Sequence, residues 1–253
     1  GNAMDTASRK AVVAAKSIDA VGSSLSRIAV LVGAAFSVRT LVTWADGYTQ
    51  ISNRLNTIAK DQDNLNGLMT ASHTIAQNTF QDWGTTAEAV VRFKNATAEL
   101  GTSQKDVLQF TERLNKAVAL SGATTSEATN GIIQMSQGLA SGALRGDEFR
   151  SVTENLTFVA DMLAKGLGKT RGELKKMAGE GKLTAEQVMK AFQKVGPEIE
   201  QRFGKVIPTI GQSLTMMKNE AIKFFGAAGT GSGLLRGLSD VFKILIKNFD
   251  TIG

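Results

Sequence analysis

Apolar residues recur at helical spacing through most of the chain, in short stripes that open at capping residues and stop near glycine. After Ser103 the stripe is Val107, Phe110, Leu114 and Val118; after Thr124 it is Ala128, Ile132, Met135 and Leu139. After Gly146 come Phe149, Val152, Leu156, Val159 and Leu163, the cleanest run, and after Thr184 come Val188, Phe192, Val195, Ile199 and Phe203. Steps of three and four place each set on one helix face. Thr85/Glu88, Thr124/Glu127, Thr170/Glu173 and Thr184/Gln187 have the capping-box spacing, with Ser103/Asp106 a weaker version. Gly101, Gly122, Gly142, Gly166 and Gly181 fall between stripes, where a left-handed C-cap is expected. No alternating β-branched run competes. The pattern predicts an all-α fold, a multi-helix bundle of about eight short glycine-separated helices.

The N-terminal part differs. Ala11, Ala14, Ile18, Val21, Leu25, Ile28, Val32 and Ala35 form an unbroken heptad seam, which predicts a longer, coiled-coil-like helix within residues 1–43. Gly22 and Gly33 lie inside it, each costing about 1 kcal/mol relative to alanine, so packing against a partner must supply its stability. Ile18, Val21, Leu25, Ile28 and Val32 are the candidate self-association seam, and a homo-oligomer is expected. At the other end, Leu234, Leu235, Leu238, Val241, Phe242 and Leu245 predict an amphipathic helix within residues 226–253. The stop soon afterwards is read as a cut in a longer protein, and Gly1-Asn2-Ala3 before Met4 as an expression scar.

Candidate chemistry is thin. The chain has no cysteine and one histidine, His73, which excludes disulfides, thiolate metal sites and histidine-rich metal sites. His73 reads as a surface or half-buried, satisfied histidine. The formal charge is +6, and the densest basic run is Lys165, Lys169, Arg171, Lys175, Lys176 and Lys182, against Glu173 and Glu180. A solvated face is the simpler reading and phosphate contact the sharper one, without aromatics in the stretch for base stacking. Asp147-Glu148 suits the positive end of a helix dipole; a glycosidase reading of Glu148 lacks a second carboxylate. Gly166-Leu167-Gly168-Lys169-Thr170 ends like a phosphate loop but lacks its first glycine and its preceding strand. The charge-free run between Arg27 and Arg39 is shorter than the ~20 residues a bilayer span needs.

Several blocks recur in a familiar order between Trp44 and Phe225. They include Thr85-Thr86-Ala87-Glu88-Ala89, Asn115 to Ala123, Gln134 to Gly142, Leu144-Arg145-Gly146-Asp147-Glu148-Phe149, Glu154-Asn155-Leu156, Gly179 to Thr184, and Thr209 to Leu214 into Lys218-Asn219. In this order, residues 44–225 resemble the conserved N-terminal region of bacteriophage tail length tape-measure proteins, over roughly 70% of the chain. Thr157 departs from the pattern, since the family often has proline there. The resemblance implies a phage or prophage structural protein that lies in the lumen of the tail tube, sets its length during assembly in the host cytoplasm, and leaves ahead of DNA at infection. It implies tail tube protein, tail assembly chaperones and tail tip or baseplate components as partners, and transient contact with DNA or the host membrane. No catalytic residue, cofactor or metal comes with it. Two other readings are a membrane-active helical module aiding DNA passage and, more remotely, a helical cell-wall hydrolase.

A continuous helix of this length would reach roughly 380 Å, whereas the glycine-jointed stripes predict a compact head, with the measuring rod in a C-terminal part beyond it. Replacing both Leu25 and Ile28 with glutamate is expected to shift the sedimenting mass toward monomer. An unchanged mass would mean that the N-terminal seam packs within its own subunit.

Overall fold

The computed structural model describes residues 38–227. The heptad seam at 11–35 and the amphipathic run at 234–245 lie outside the described residues. The described residues form ten helices: α1 (Val38–Asn56), α2 (Gln62–Asn78), α3 (Trp83–Ala96), α4 (Gln104–Leu120), α5 (Thr125–Ala140), α6 (Gly146–Asn155), α7 (Thr157–Leu167), α8 (Arg171–Gly179), α9 (Ala185–Phe203) and α10 (Ile210–Ala227). From Trp44 onward they belong to one compact unit. Among the described residues there is no strand. A lone antiparallel bridge between Ala143 and Thr184 ties the turn before α6 to the turn before α9, and the Leu144 amide donates to the Leu183 carbonyl at 2.8 Å.

Capping chemistry sets most helix starts. Thr124 and Glu127 form a reciprocal capping box on α5, as Thr170 and Glu173 do on α8. Ser103 and Thr184 accept from the amides of Asp106 and Gln187 at the starts of α4 and α9. The Thr85/Glu88 expectation is corrected: α3 begins at Trp83, and Asp82 is its cap, accepting from the Thr85 amide. Glu88 is instead held by Arg54 of α1 at 2.9 Å and Arg92 at 2.7 Å. No side chain caps α6, whose first turn carries Asp147 and Glu148, two carboxylates that offset the helix dipole.

The single stripe expected from Phe149 to Leu163 is two helices, because Leu156 (φ −123°, ψ 64°) leaves helical geometry between α6 and α7. Both amide ladders meet across it, Leu156 donating to Val152 and Ala160 donating to Leu156, so the apolar spacing survives the break. The bend lets the Leu156 side chain lie on α5: a Cβ at Gly131 would come within 2.3 Å of Leu156 Cδ1. Thr157 takes the first position of α7, which is where proline is favoured.

The core closes around α4, which touches α2, α3, α5, α7 and α9. Phe110 of α4 meets Phe93 of α3 edge-on at 4.8 Å and Phe192 of α9 at 5.5 Å, an arrangement that aromatic quadrupoles favour. Leu114, Ile132, Met135, Leu139, Val159, Leu163 and Val188 fill the space around them with no measurable exposure. Beside this core, α9 and α7 approach closely because Gly166 lacks a side chain; a Cβ there would lie 2.5 Å from the Ala191 carbonyl oxygen. That corrects the sequence expectation for Gly166. The left-handed C-cap of α7 is Gly168, at φ 64°, while Gly101, Gly122, Gly142 and Gly181 do have positive φ.

Two alanine substitutions separate these effects. Gly166→Ala must push α7 from α9 and is expected to cost about 1–3 kcal/mol. Gly67, within α2 with no neighbouring heavy atom inside 4 Å of its virtual Cβ, should gain about 0.5–1 kcal/mol on the same change. Urea denaturation of the two variants checks both signs.

Candidate functional site

The most concentrated chemistry is a buried polar clasp where α10 meets the α2–α3 turn. Its centre is Asn219, without measurable exposure. Its Nδ2 donates to the Gln81 carbonyl at 2.8 Å and to Gln77 Oε1 at 3.2 Å, and its Oδ1 accepts from the Trp83 amide at 2.9 Å. One carboxamide thus satisfies the first amide of α3, an orphan donor of that helix, and a turn carbonyl. The turn is unusual. Phe80 has φ 61°, the only positive φ of a non-glycine among the described residues, a conformation that costs an L-residue about 1–2 kcal/mol. Its ring packs on Phe203 at 5.3 Å.

Charged groups flank Asn219 on both sides. Lys218 pairs with Asp82 at 2.9 Å. Burial pushes the Asp82 carboxyl up, but Lys218 and the Thr85 amide and hydroxyl outweigh it and hold its pKa below the ordinary value. Glu220 accepts from Gln77, and its Oε1 lies 3.2 Å from His73 Nε2. That His73 contact is close enough for an ion pair but lacks hydrogen-bond alignment, so the Nε2 has no hydrogen-bond partner. For Glu220, burial raises the pKa, and His73, Gln77 and Lys223 together lower it below the ordinary range. His73 is buried rather than half-buried, edge-on to Trp83 at 4.9 Å. The Trp83 indole donates to Ser72 Oγ at 2.9 Å, completing the network.

A second buried polar pair ties α4 to its neighbours. Asn115 donates to Thr86 Oγ1 at 3.0 Å, with its Oδ1 unpartnered. Lys116 pairs with Glu112 at 2.8 Å and with Glu200 of α9. Burial lowers the Lys116 pKa, but the two carboxylates more than compensate and raise it. Sequence reasoning assigned no role to Asn115, Lys116, Lys218 or Asn219, although all four fall inside the blocks that carry the resemblance.

The six basic residues run from α7 through its C-cap turn and α8 to the turn beyond, and all are exposed. Four are matched by carboxylates: Lys165 by Glu198, Lys169 by Glu173, Arg171 by Asp161 and Lys182 by Glu180. Among the described residues, Lys175 and Lys176 have no ion-pair partner. The Gly-Lys-Thr run is a helix-to-helix turn, with Gly168 closing α7 and Thr170 capping α8. The candidate seam Ile18, Val21, Leu25, Ile28 and Val32 lies outside the described residues. Among the described residues no group of three or more His, Asp or Glu could hold a metal ion, and no helix is long and apolar enough to cross a membrane.

A family model for the tape measure protein matches residues 39–230, well over half of the 253-residue chain. The chain belongs to the tape measure protein family. This is a family of structural phage-tail components that determine tail length, which places the helical bundle in a tail-assembly context. Neither the curated proteins nor the solved structures contain a match to the chain.

Two measurements address the clasp. Asn219→Leu leaves the Trp83 amide and Gln81 carbonyl unpaired, at about 1–3 kcal/mol for each buried group. Hydrogen exchange should accelerate in α10 while α4 keeps its protection; equal acceleration everywhere would mean that α10 is not a separable element. Acid should have a similar local effect. With folded pKa values below the unfolded ones, Asp82 and Glu220 stabilise the fold above the ordinary carboxylate range, and this is lost as pH falls through their depressed values. Exchange followed against pH should therefore show α10 released before α4.

Proposed function

We propose that residues 44–225 are the folded head of a tail ruler, which sets tube length during assembly and leaves ahead of DNA at infection. The observation that carries the reading is the coincidence of the family match at 39–230 with a bundle of short, cross-packed helices. Such a bundle has none of the linear reach a ruler needs, so in this reading the measuring rod lies in sequence C-terminal to it. A compact domain of this size has a radius of gyration of about 16–18 Å, broader than a DNA duplex. If the bore of the tube only just passes a duplex, the head must open to travel along it. The polar attachment of Asn219, Lys218 and Glu220 to the α2–α3 turn supports release of α10 from that turn as an early step of the opening. The reading places the head in the tail lumen, against tube protein, assembly chaperones and tip or baseplate components. For DNA or another polyanion, it leaves Lys175 and Lys176 as the available cations of the basic face.

Electron microscopy of tails tests this in the parent virus. A helical insertion placed C-terminal to the bundle should lengthen tails by about 1.5 Å per residue, whereas removing residues 44–225 should abolish tails rather than shorten them. Tails of unchanged length after the insertion would refute a ruler role. A second reading, a membrane-active module aiding DNA passage, draws on the exposed Ile207, Ile210 and Leu214. Leakage of dye-loaded anionic liposomes by the protein would support it, and intact liposomes would count against it.

A further inference from the structure

A groove of about 900 Å³ lies between α2, the α3–α4 turn and α4. Asn64 Nδ2 donates to Gln104 Oε1 at 3.0 Å, joining the starts of α2 and α4. From that bridge the two helices run along the groove in the same direction, α2 as far as Ile75 and α4 as far as Glu112, a length of about 16 Å. The apolar wall is Ile58, Ala71, Ile75 and Leu108, of which only Ile75 is fully buried. The basic groups collect at one end. Lys60 precedes α2, Lys105 lies in the first turn of α4, and Lys94, in the last turn of α3, donates to the Thr102 carbonyl at 2.7 Å. The positive ends of the α2 and α4 dipoles fall at the same end. Glu112 is the one carboxylate among the lining residues, and it is paired with Lys116 at 2.8 Å. Asp61, Asp63 and Asp106 belong to the same two helix starts but do not line the groove; Asp61 is engaged by the Asn64 amide and Asp106 by the Ser103 hydroxyl. Lys60 and Lys105 are exposed and have no carboxylate partner among the described residues.

We propose that this groove is the docking site for an amphipathic helix of a partner protein, apolar where it meets Ile75 and Leu108 and acidic where it meets Lys60, Lys94 and Lys105. Charge complementarity selects the occupant. Two neighbouring helices present a channel that receives the side-chain ridge of a third, and anchors at i, i+4, i+7 and i+11 span about 16 Å, the length of the groove. A small molecule is held differently, since its sites enclose most of the ligand, whereas this groove is open to solvent along one side. The apolar wall supplies contact area to any amphipathic helix. The lysines add orientation, a faster encounter and rejection of basic sequences, and this part of the binding is screened by salt. The inference is independent of the ruler reading and rests on the groove alone.

Fluorescein-labelled helical peptides test this on the 253-residue protein. The probe carries leucines at i, i+4, i+7 and i+11 and a cluster of glutamates at one end, in versions with the cluster first or last. A control has lysines in place of the glutamates. Fluorescence anisotropy should show one glutamate version bound and the control bound at least about tenfold more weakly. The bound peptide should slow hydrogen exchange in α2 and α4 but not in α8. Lys60→Glu with Lys105→Glu should weaken the glutamate peptide by a similar factor and favour the control, while exchange in α4 without peptide stays as in the unaltered protein. No binding by either glutamate version, equal binding of the control, or unchanged affinity in the double variant would overturn the proposal. Anionic vesicles binding through the same lysines, with no peptide bound, would assign the groove to a membrane surface and overturn it too.

Discussion

The bundle depends on close apolar contact around α4, supplemented by buried hydrogen bonding that is most concentrated where α10 meets the α2–α3 turn. Helices α2 to α9 cohere through side chains such as Phe93, Phe110 and Phe192, which are buried and gain from close packing. Helix α10 brings Ile222 to that shared core, stacks Phe225 on Trp44 of α1 at 5.6 Å, and is tied to the α2–α3 turn by Asn219, Lys218 and Glu220. Apolar contact weakens gradually as surfaces part. A buried hydrogen-bond network fails abruptly, since each lost partner leaves a desolvated group behind.

That contrast gives the fold two levels of cohesion. Regions with fewer packed neighbours are the ones that open first, and α10, at the end of the described bundle, has fewer than α4, which is surrounded by five helices. A head that travels along a narrow tube, as proposed above, would be served by such grading. A uniformly cooperative globule would have to be dismantled all at once.

Much of the architecture was legible in the sequence. The boxes at Thr124 and Thr170 were visible because both halves of the motif are present. Asp82 was missed because an aspartate cap followed by Thr85 lacks the acidic or amide third residue that makes a box recognisable. The break at Leu156 was hidden because the amide ladders meet across it and preserve the stripe. Gly166 and Gly168 sit too close in sequence to be told apart by pattern, since one serves helix contact and the other a left-handed turn. The clasp was the least legible part. Asparagine and lysine read as surface residues, and only the three-dimensional fold brings Asn219 to Gln81 and Trp83, more than a hundred residues away.

The left-handed Phe80 ends α2 in the position usually given to glycine. The Gln81 amide closes the turn onto the Ala76 carbonyl at 2.9 Å, and the Gln81 carbonyl accepts from Asn219, so one residue serves both the end of α2 and the seating of α10. Trp83, whose amide donates to the same asparagine, stands two residues beyond the Gln81 carbonyl, with its indole on Ser72 and edge-on to His73. Both tryptophans of the chain border α10, Trp44 by stacking on Phe225 and Trp83 through the Asn219 contact, which makes intrinsic fluorescence a native readout of how that helix is seated.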